Sequence, residues 1–518
     1  MIMYYLHYYN LLADAIAEHY QSDRVGEANS EPHPVDEALV QCIWAEQLLR
    51  PEALRTFSGL PLVVLNPGDW NTGGHGPDFR KAQLRIDGRA VSGDVEIHLH
   101  SSDFRAHGHQ RDYEYNRVAL HVFLSCTDGE THDLLHNGQR CERLELEPVL
   151  FPDLETLRRT ISPSEIRLGE PGPAGKCNAV FQTWDFQTIR DFLNAMGRER
   201  LEHKARRLED QLAGRGVEQA FYQSMMSLMG LRGSRALYYL LAQRAPLSEL
   251  RQQLAEVAPE GRTLLLESIL LHVANLLPDA EGEARLDDAE RSYLEALRKA
   301  WLTAEPYFSD RVIARSKRWM SGVRPGNFPM RRLAGVARWL RPRLAETNFL
   351  LRLRRDFQAA APQVWSRANA RRFEKQRSAG FVAQDSAAHW AMRYSWGGKL
   401  AKSPNALIGE AHAQSITLNA LLPALLLIAR HEQDAALEDQ LFKFWSLYPA
   451  LPPNQVVKAM QRRLFHGVTL ADDLFNTEQR RQALHHVHHQ LCNGNLSSCE
   501  QCVFFHNPIL PSHPEPLE

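Results

Sequence analysis

Cysteine is scarce in this chain, with seven in 518 residues. An odd, thinly spread set cannot build the disulfide framework of a small secreted scaffold, and it suits a reducing cytoplasm, which is the expected location. Long apolar runs are lacking too. The greasiest stretches, 264–277 and 416–428, fall short of the roughly 20 residues of a membrane span and are broken by Glu267, His272, Asn419 and Pro423. Buried helices explain them better. The first residues, MIMYYLHYYNLLADAIAEHY, lack the basic leader and small-residue cleavage site of a signal peptide and soon meet Asp14 and Glu18. No fixed repeat period is visible, so a solenoid has no support. Nor does one sign of charge dominate, since 60 Lys and Arg stand against 62 Asp and Glu.

What is present is ordinary core material, 44% hydrophobic, enough for more than one folded unit. The charge balance hides a segregation. Residues 311–402 carry 21 basic and 4 acidic side chains, a local +17, which leaves −19 for the rest. Such asymmetry points either to a polyanionic partner or to basic helix faces paired with acidic helices elsewhere in the fold.

The chain divides near 148–175. Before it, short β-type runs at 62–65, 82–86, 91–99, 118–124 and 144–146 alternate with Gly, Asp and Asn turn signals. A helical pattern over 36–50 precedes them, its apolar positions Leu39, Val40, Ile43, Trp44 and Leu48 near helical spacing. The expected order is helix, three strands, a connection over 105–116 holding a short helix, then another strand. After a Gly- and Pro-rich linker at 169–176 the sequence reads as helix after helix to about His489. The expected architecture is therefore an α+β module over 30–150 followed by a large all-α region over 176–510.

The densest polar region is 71–122. Side chains two apart on a strand share a face roughly 6.6 Å apart, so Asp94, Glu96, His98 and His100 project one way and Val95, Ile97 and Leu99 the other. This predicts a half-buried strand with a wholly ionisable face, which is costly near a core unless its charges are paired or ligate a metal. Asp78 opens the preceding strand and would sit beside Glu96 in a hairpin. Two carboxylates on adjacent strands suit Mg2+ or Mn2+. Five histidines, His98, His100, His107, His109 and His121, fall within 24 residues, well above the background of 23 in 518. One or two of them are expected at the same site, and a zinc hydrolase with histidine ligands is one alternative.

The run GPDF followed by GDVEIHL resembles the motif of the PD-(D/E)XK nuclease superfamily, and the element order is similar to its core. The resemblance places Pro77 and Asp78 at the first element and Glu96 at the second acid, with Glu37 at the acidic position some members carry on the leading helix. His98 stands where the family has lysine. What the resemblance implies is a metal held by Asp78 and Glu96 and a water oriented or deprotonated by His98, with third-ligand duty for His98 as the other outcome.

At the other end of the chain, Cys492-x6-Cys499-x2-Cys502 forms a metal-cluster signal that needs a fourth ligand. Cys177 is the first choice, with His489 and His506 as alternatives, and zinc, an Fe-S cluster and unligated thiols stay open. Some helicase-nuclease and CRISPR-associated members of the superfamily carry Fe-S clusters on a similar pattern, although there the cysteines flank the nuclease core.

Within the basic segment, RPGNFPMRRLA offers Arg324, Asn327, Arg331 and Arg332 to phosphates, with Asn327 as a helix cap. NTGGHGPDF, GDVEIHLHSSDFRAHGHQRDYEYNRVALHV, RPGNFPMRRLA, ITLNALLPALL and the closing cysteines together resemble an uncharacterised bacterial family over nearly the whole chain. That family implies no activity. The function expected is a divergent metal-dependent nuclease whose arginine-rich helices grip DNA or RNA. The alternative is a non-catalytic scaffold, binding nucleic acid or protein, whose nuclease-like core has degenerated.

Overall fold

The structure, a computed structural model, describes residues 35–71, 75–161, 177–212, 214–231, 234–320, 323–468 and 473–492. The chain forms two compact units. The first contains the described parts of 1–150, 162–203 and 444–518, and the second consists of 151–161 and 204–443. The helical stretch expected over 176–510 is thus shared between them.

In the first unit, helix α1 (Glu37–Ala45) begins at Asp36, whose carboxylate accepts from the Leu39 amide at 2.8 Å. It buries Leu39, Val40, Ile43 and Trp44. The sheet that follows has seven strands: β1 (Leu62–Asn66), β2 (Asp69–Trp70), β3 (Phe79–Ile86), β4 (Arg89–His100), β5 (Val118–Ser125), β6 (His132–Leu134) and β7 (Arg140–Glu145). Their spatial order is β1-β3-β4-β5-β7-β6, with β2 also on β3. Strands β3 and β4 form an antiparallel hairpin over Asp87 and Gly88, both at positive φ, as a two-residue turn that follows the sheet twist requires. Strands β4, β5 and β7 run parallel.

The connection from β4 to β5 holds only the four-residue helix α2 (Asp103–Ala106) and two 3-10 turns, His109–Arg111 and Tyr113–Arg117. Gly108, at φ +80°, stops the first helix, and Asp112 caps the last turn through the Glu114 amide. A polar segment without apolar periodicity has nothing to hold a longer helix. The short helix expected in this connection is therefore a single turn followed by 3-10 turns.

Strand β4 departs from the half-buried expectation. Every residue from Gly93 to His98 is buried, on both faces. Helix α1 packs over β4, and the loop after β4 folds back over its ionisable face, as the histidine contacts below make plain. A bulge in β3 between Phe79 and Ala82, with Lys81 at φ +59°, lets the Lys81 amide donate to Asp94 at 3.0 Å.

The first unit also contains a helical core. Phe181, Leu193, Met196, Met460, Leu464 and Leu484 form one buried cluster that includes Cys177 and Cys492. The second unit is helical. One helical run in it, Glu410–His431, is long and apolar enough to cross a membrane, but 72% of its apolar window is buried inside the protein, as befits a core helix. A π turn at Thr417–Leu421 widens this helix just before Pro423, which has no amide hydrogen to give.

At Gly93 strand β4 passes too close to the start of β5 for a side chain, since a Cβ there would meet Ala119 Cβ at 2.6 Å and the Arg117 carbonyl at 2.7 Å. Gly93→Ala is expected to cost about 1–3 kcal/mol, read as an earlier midpoint in urea unfolding. An unchanged midpoint would mean the strands part freely here.

Candidate metal centre

Strands β4 and β5, the turn before β3, helix α1 and the loop after β4 supply the site. Asp78, just before β3, accepts from the Ile97 amide through Oδ2 at 3.0 Å and from Gln41 Nε2 of α1 through Oδ1 at 2.6 Å. Its own amide donates to Glu96 Oε2 at 3.0 Å. The two acids expected to be neighbours are thus laced together through the β3–β4 backbone.

The denser convergence is around His98. Its Nε2 lies 3.1 Å from His107 Nδ1 and 3.2 Å from His109 Nε2, and ligand atoms of these three histidines all fall within 4.8 Å of one another. Glu96 Oε1 is 3.2 Å from His109 Nε2 and 3.7 Å from His98 Nε2. Glu37 Oε1 stands further out, 3.9 Å from His98 Nε2. Four Zn–N bonds of 2.0–2.1 Å in tetrahedral array would set nitrogens roughly 3.3–3.4 Å apart, close to the two separations made by His98 Nε2. A neutral imidazole nitrogen offers a single lone pair or a single hydrogen. Two further ring nitrogens at hydrogen-bond distance from one such atom are poorly served by hydrogen bonds alone, and well served by a shared cation.

Behind His98 the network continues inward. His98 Nδ1 is 3.0 Å from His121 Nε2 on β5, and His121 Nδ1 is 2.6 Å from Asp133 Oδ2 on β6. Arg143 on β7, fully buried, lies 3.2 Å from Asp133 through Nε and holds Asp128 at 2.9 Å. His100 is not part of this. It is exposed and meets Ser125 Oγ at 3.2 Å. On the outer side, the Tyr115 ring stacks on His109 with centroids 4.0 Å apart.

The electrostatics follow from burial. Desolvation raises Glu96 to about 8 against the opposing pull of the Asp78 amide, with Glu37 adding to the rise. Burial, reinforced by the His121, His109 and His107 rings, pushes His98 down to about 2, and burial also lowers His109 and His121. The cluster thus combines imidazoles that burial keeps from protonating, His98, His109 and His121, with a carboxyl that cannot easily ionise without a positive charge beside it.

A model of the family described as Protein of unknown function (DUF2851) matches residues 37–452. The chain belongs to this family. The matched span contains the entire histidine network and stops short of Cys492, so the closing cysteines expected to carry part of the likeness lie outside it. No curated protein and no solved structure matches the chain.

Of the cysteine ligands expected, Cys177 and Cys492 share the helical core of the first unit, and His489 lies in the same turn as Cys492 (His488–Cys492). Cys499, Cys502 and His506 fall outside the described residues.

The residues offered to phosphate require correction. Arg331 is buried and donates to the carbonyls of Trp390, Arg393 and Ala406. Arg332 is buried too, on the Leu407 carbonyl, Asn327 Oδ1 and His412 Nδ1. Asn327 is thereby occupied, and the helix Pro329–Arg343 starts at Phe328 without a side-chain cap. Both arginines hold loops inside the second unit and do not face solvent. Arg324 alone of the four is exposed. Other basic residues of 311–402 are also spent internally, as Arg338 on Glu267 and Asp385, Arg354 on Glu432 and Asp434, and Arg393 on Asp287 and Glu290. Arg355, Arg371, Arg372 and Lys375 remain exposed.

Two outcomes are expected. Purified protein should carry about one equivalent of a transition metal by elemental analysis, reduced in His109→Ala and unchanged in His100→Ala. Arg331→Ala should lose about 3 kcal/mol in chemical unfolding because several buried carbonyls lose their donor; a stability equal to wild type would place Arg331 back among the surface cations.

Proposed function

We propose that this protein is a divalent-metal-dependent hydrolase of phosphodiester bonds in DNA or RNA. The convergence of His98, His107 and His109 with Glu96 is the observation that supports this reading. Three imidazoles with one carboxylate favour Mn2+, Zn2+ or a similar borderline metal over Mg2+. That shifts the nuclease-like reading toward the histidine-ligated alternative while keeping its acids. When bound, such a cation would supply positive charge to a phosphoryl oxygen and acidify a water.

The remaining roles fall to the chain itself. Asp78, oriented by Gln41 and the Ile97 amide, sits beside Glu96 where the nuclease motif has its first acid. His98 is too buried and too engaged with other rings to take the lysine's part as a water-activating base, so ligand duty suits it better. Glu37, at the rim, is the more accessible group for accepting a proton. In the second unit Arg371 and Lys375 lie one turn apart on helix Arg367–Ala379, with Arg372 adjoining and Arg355 on helix Phe349–Ala360. These exposed cations are the ones we assign to a phosphate backbone, in place of Arg331 and Arg332.

The test is incubation of the full chain with labelled single- and double-stranded DNA and RNA, with Mn2+, Zn2+ or Mg2+ and with chelator. Cleavage is expected with Mn2+ or Zn2+, lost on chelation and in Glu96→Ala and His109→Ala. Binding of nucleic acid without cleavage under every metal would favour the scaffold reading and remove the enzymatic one.

A further inference from the structure

We infer that Asp133 and His121 are positioning residues for the metal centre, fixing His98 as the tautomer whose Nε2 lone pair is presented to a transition-metal ion. This rests on the metal-centre reading above and goes beyond it, because neither residue reaches the ligand atoms. Asp133 belongs to the short strand β6, at the end of the sheet order opposite β1.

Hydrogen count fixes the tautomers. The Asp133 carboxylate only accepts, so the 2.6 Å contact with His121 Nδ1 places a hydrogen on that nitrogen. His121, wholly buried and with its one ring hydrogen held on Nδ1 by Asp133, is then bare at Nε2. The 3.0 Å contact from His121 Nε2 to His98 Nδ1 must therefore be donated by His98. With its hydrogen on Nδ1, His98 is bare at Nε2, the atom that faces His107 and His109.

Each link is sterically held. His121 is wholly buried and packs against Phe104 and Phe123, with ring centroids 5.0 and 5.2 Å away. The same Asp133 oxygen, Oδ2, lies 3.2 Å from Nε of Arg143, which also donates to the carbonyls of Ser101 and Glu130. The cross-strand register sets Glu96 beside His121 and His121 beside Arg143, so three parallel strands align the relay. Partners of this kind orient a ligating imidazole and raise its basicity, and their loss commonly weakens metal binding by about 10–100-fold.

The experiment measures Zn2+ affinity of the full chain by competition with a chromophoric chelator, together with the visible absorption of the Co2+-substituted protein. Asp133→Asn and His121→Phe are expected to bind about 10–100-fold more weakly and to shift the Co2+ bands, with His100→Ala matching wild type. Nitrogen-15 spectra of histidine-labelled wild type give a reading that needs no variant, with His98 expected protonated at Nδ1 and bare at Nε2. Wild-type affinity and bands in both variants, or the opposite His98 tautomer, would overturn the inference while leaving the ligand set standing. Failure of the wild type to bind Zn2+ or Co2+ would overturn the metal-centre reading itself, and this inference with it.

Discussion

Burying an ionisable strand face is the constraint on which the sheet-bearing part of this protein depends. Strand β4 is covered on both sides, yet it carries Asp94, Glu96 and His98 within five residues. Water cannot compensate them, so the chain must. Each is met by a different device. Asp94 takes an amide freed by a bulge in β3, Glu96 takes the Asp78 amide and a histidine, and His98 takes histidines on both of its nitrogens. The bulge, the short α2 and the fold-back of the loop through His107 and His109 all serve that one requirement.

Much of this was legible in the sequence and part was not. Alternation along β4 gave the shared face of Glu96 and His98, and the adjacent GPDF placed Asp78 next to them. The density of histidines signalled a cluster, since five in 24 residues is hard to reconcile with scattered surface residues. Spacing could not say which would converge. His107 and His109 lie in a loop whose path is set by Gly108 and by packing on Tyr115, whereas His100, at the right period on the strand, lies beyond the buried segment. Asp133 was invisible because a three-residue strand has no periodicity to read, and its partner lies on another strand. The tetrad of contacts needed the sheet order, which a local pattern does not contain.

The basic segment illustrates the opposite difficulty. Counting charges over 311–402 gave a real asymmetry but no direction for the side chains. In the structure several of those guanidinium groups serve as internal braces, because five planar donors suit a cluster of loop carbonyls as well as they suit a phosphate. Arg331 and Arg332 differ from Arg371 and Arg372 in burial, not in residue type. A run such as RPGNFPMRRLA, attractive as a phosphate motif, is better explained by its need to organise the loops that end at Trp390 and Leu407.

The shared core around Phe181 and Leu484 has a further consequence for how the protein is made. The chain leaves the first unit at His203 and re-enters it at Phe444. A ribosome must therefore release some 240 intervening residues before Met460, Leu464 and Leu484, which share the core of Phe181 and Leu193, exist. During that interval the apolar faces of the early helices have no native cover, which is the condition under which nascent chains need chaperones or fold the inserted part first. Completion of the first unit thus waits on the segment after Phe444, and a chain terminated before that segment would display an open apolar core instead of a smaller folded unit.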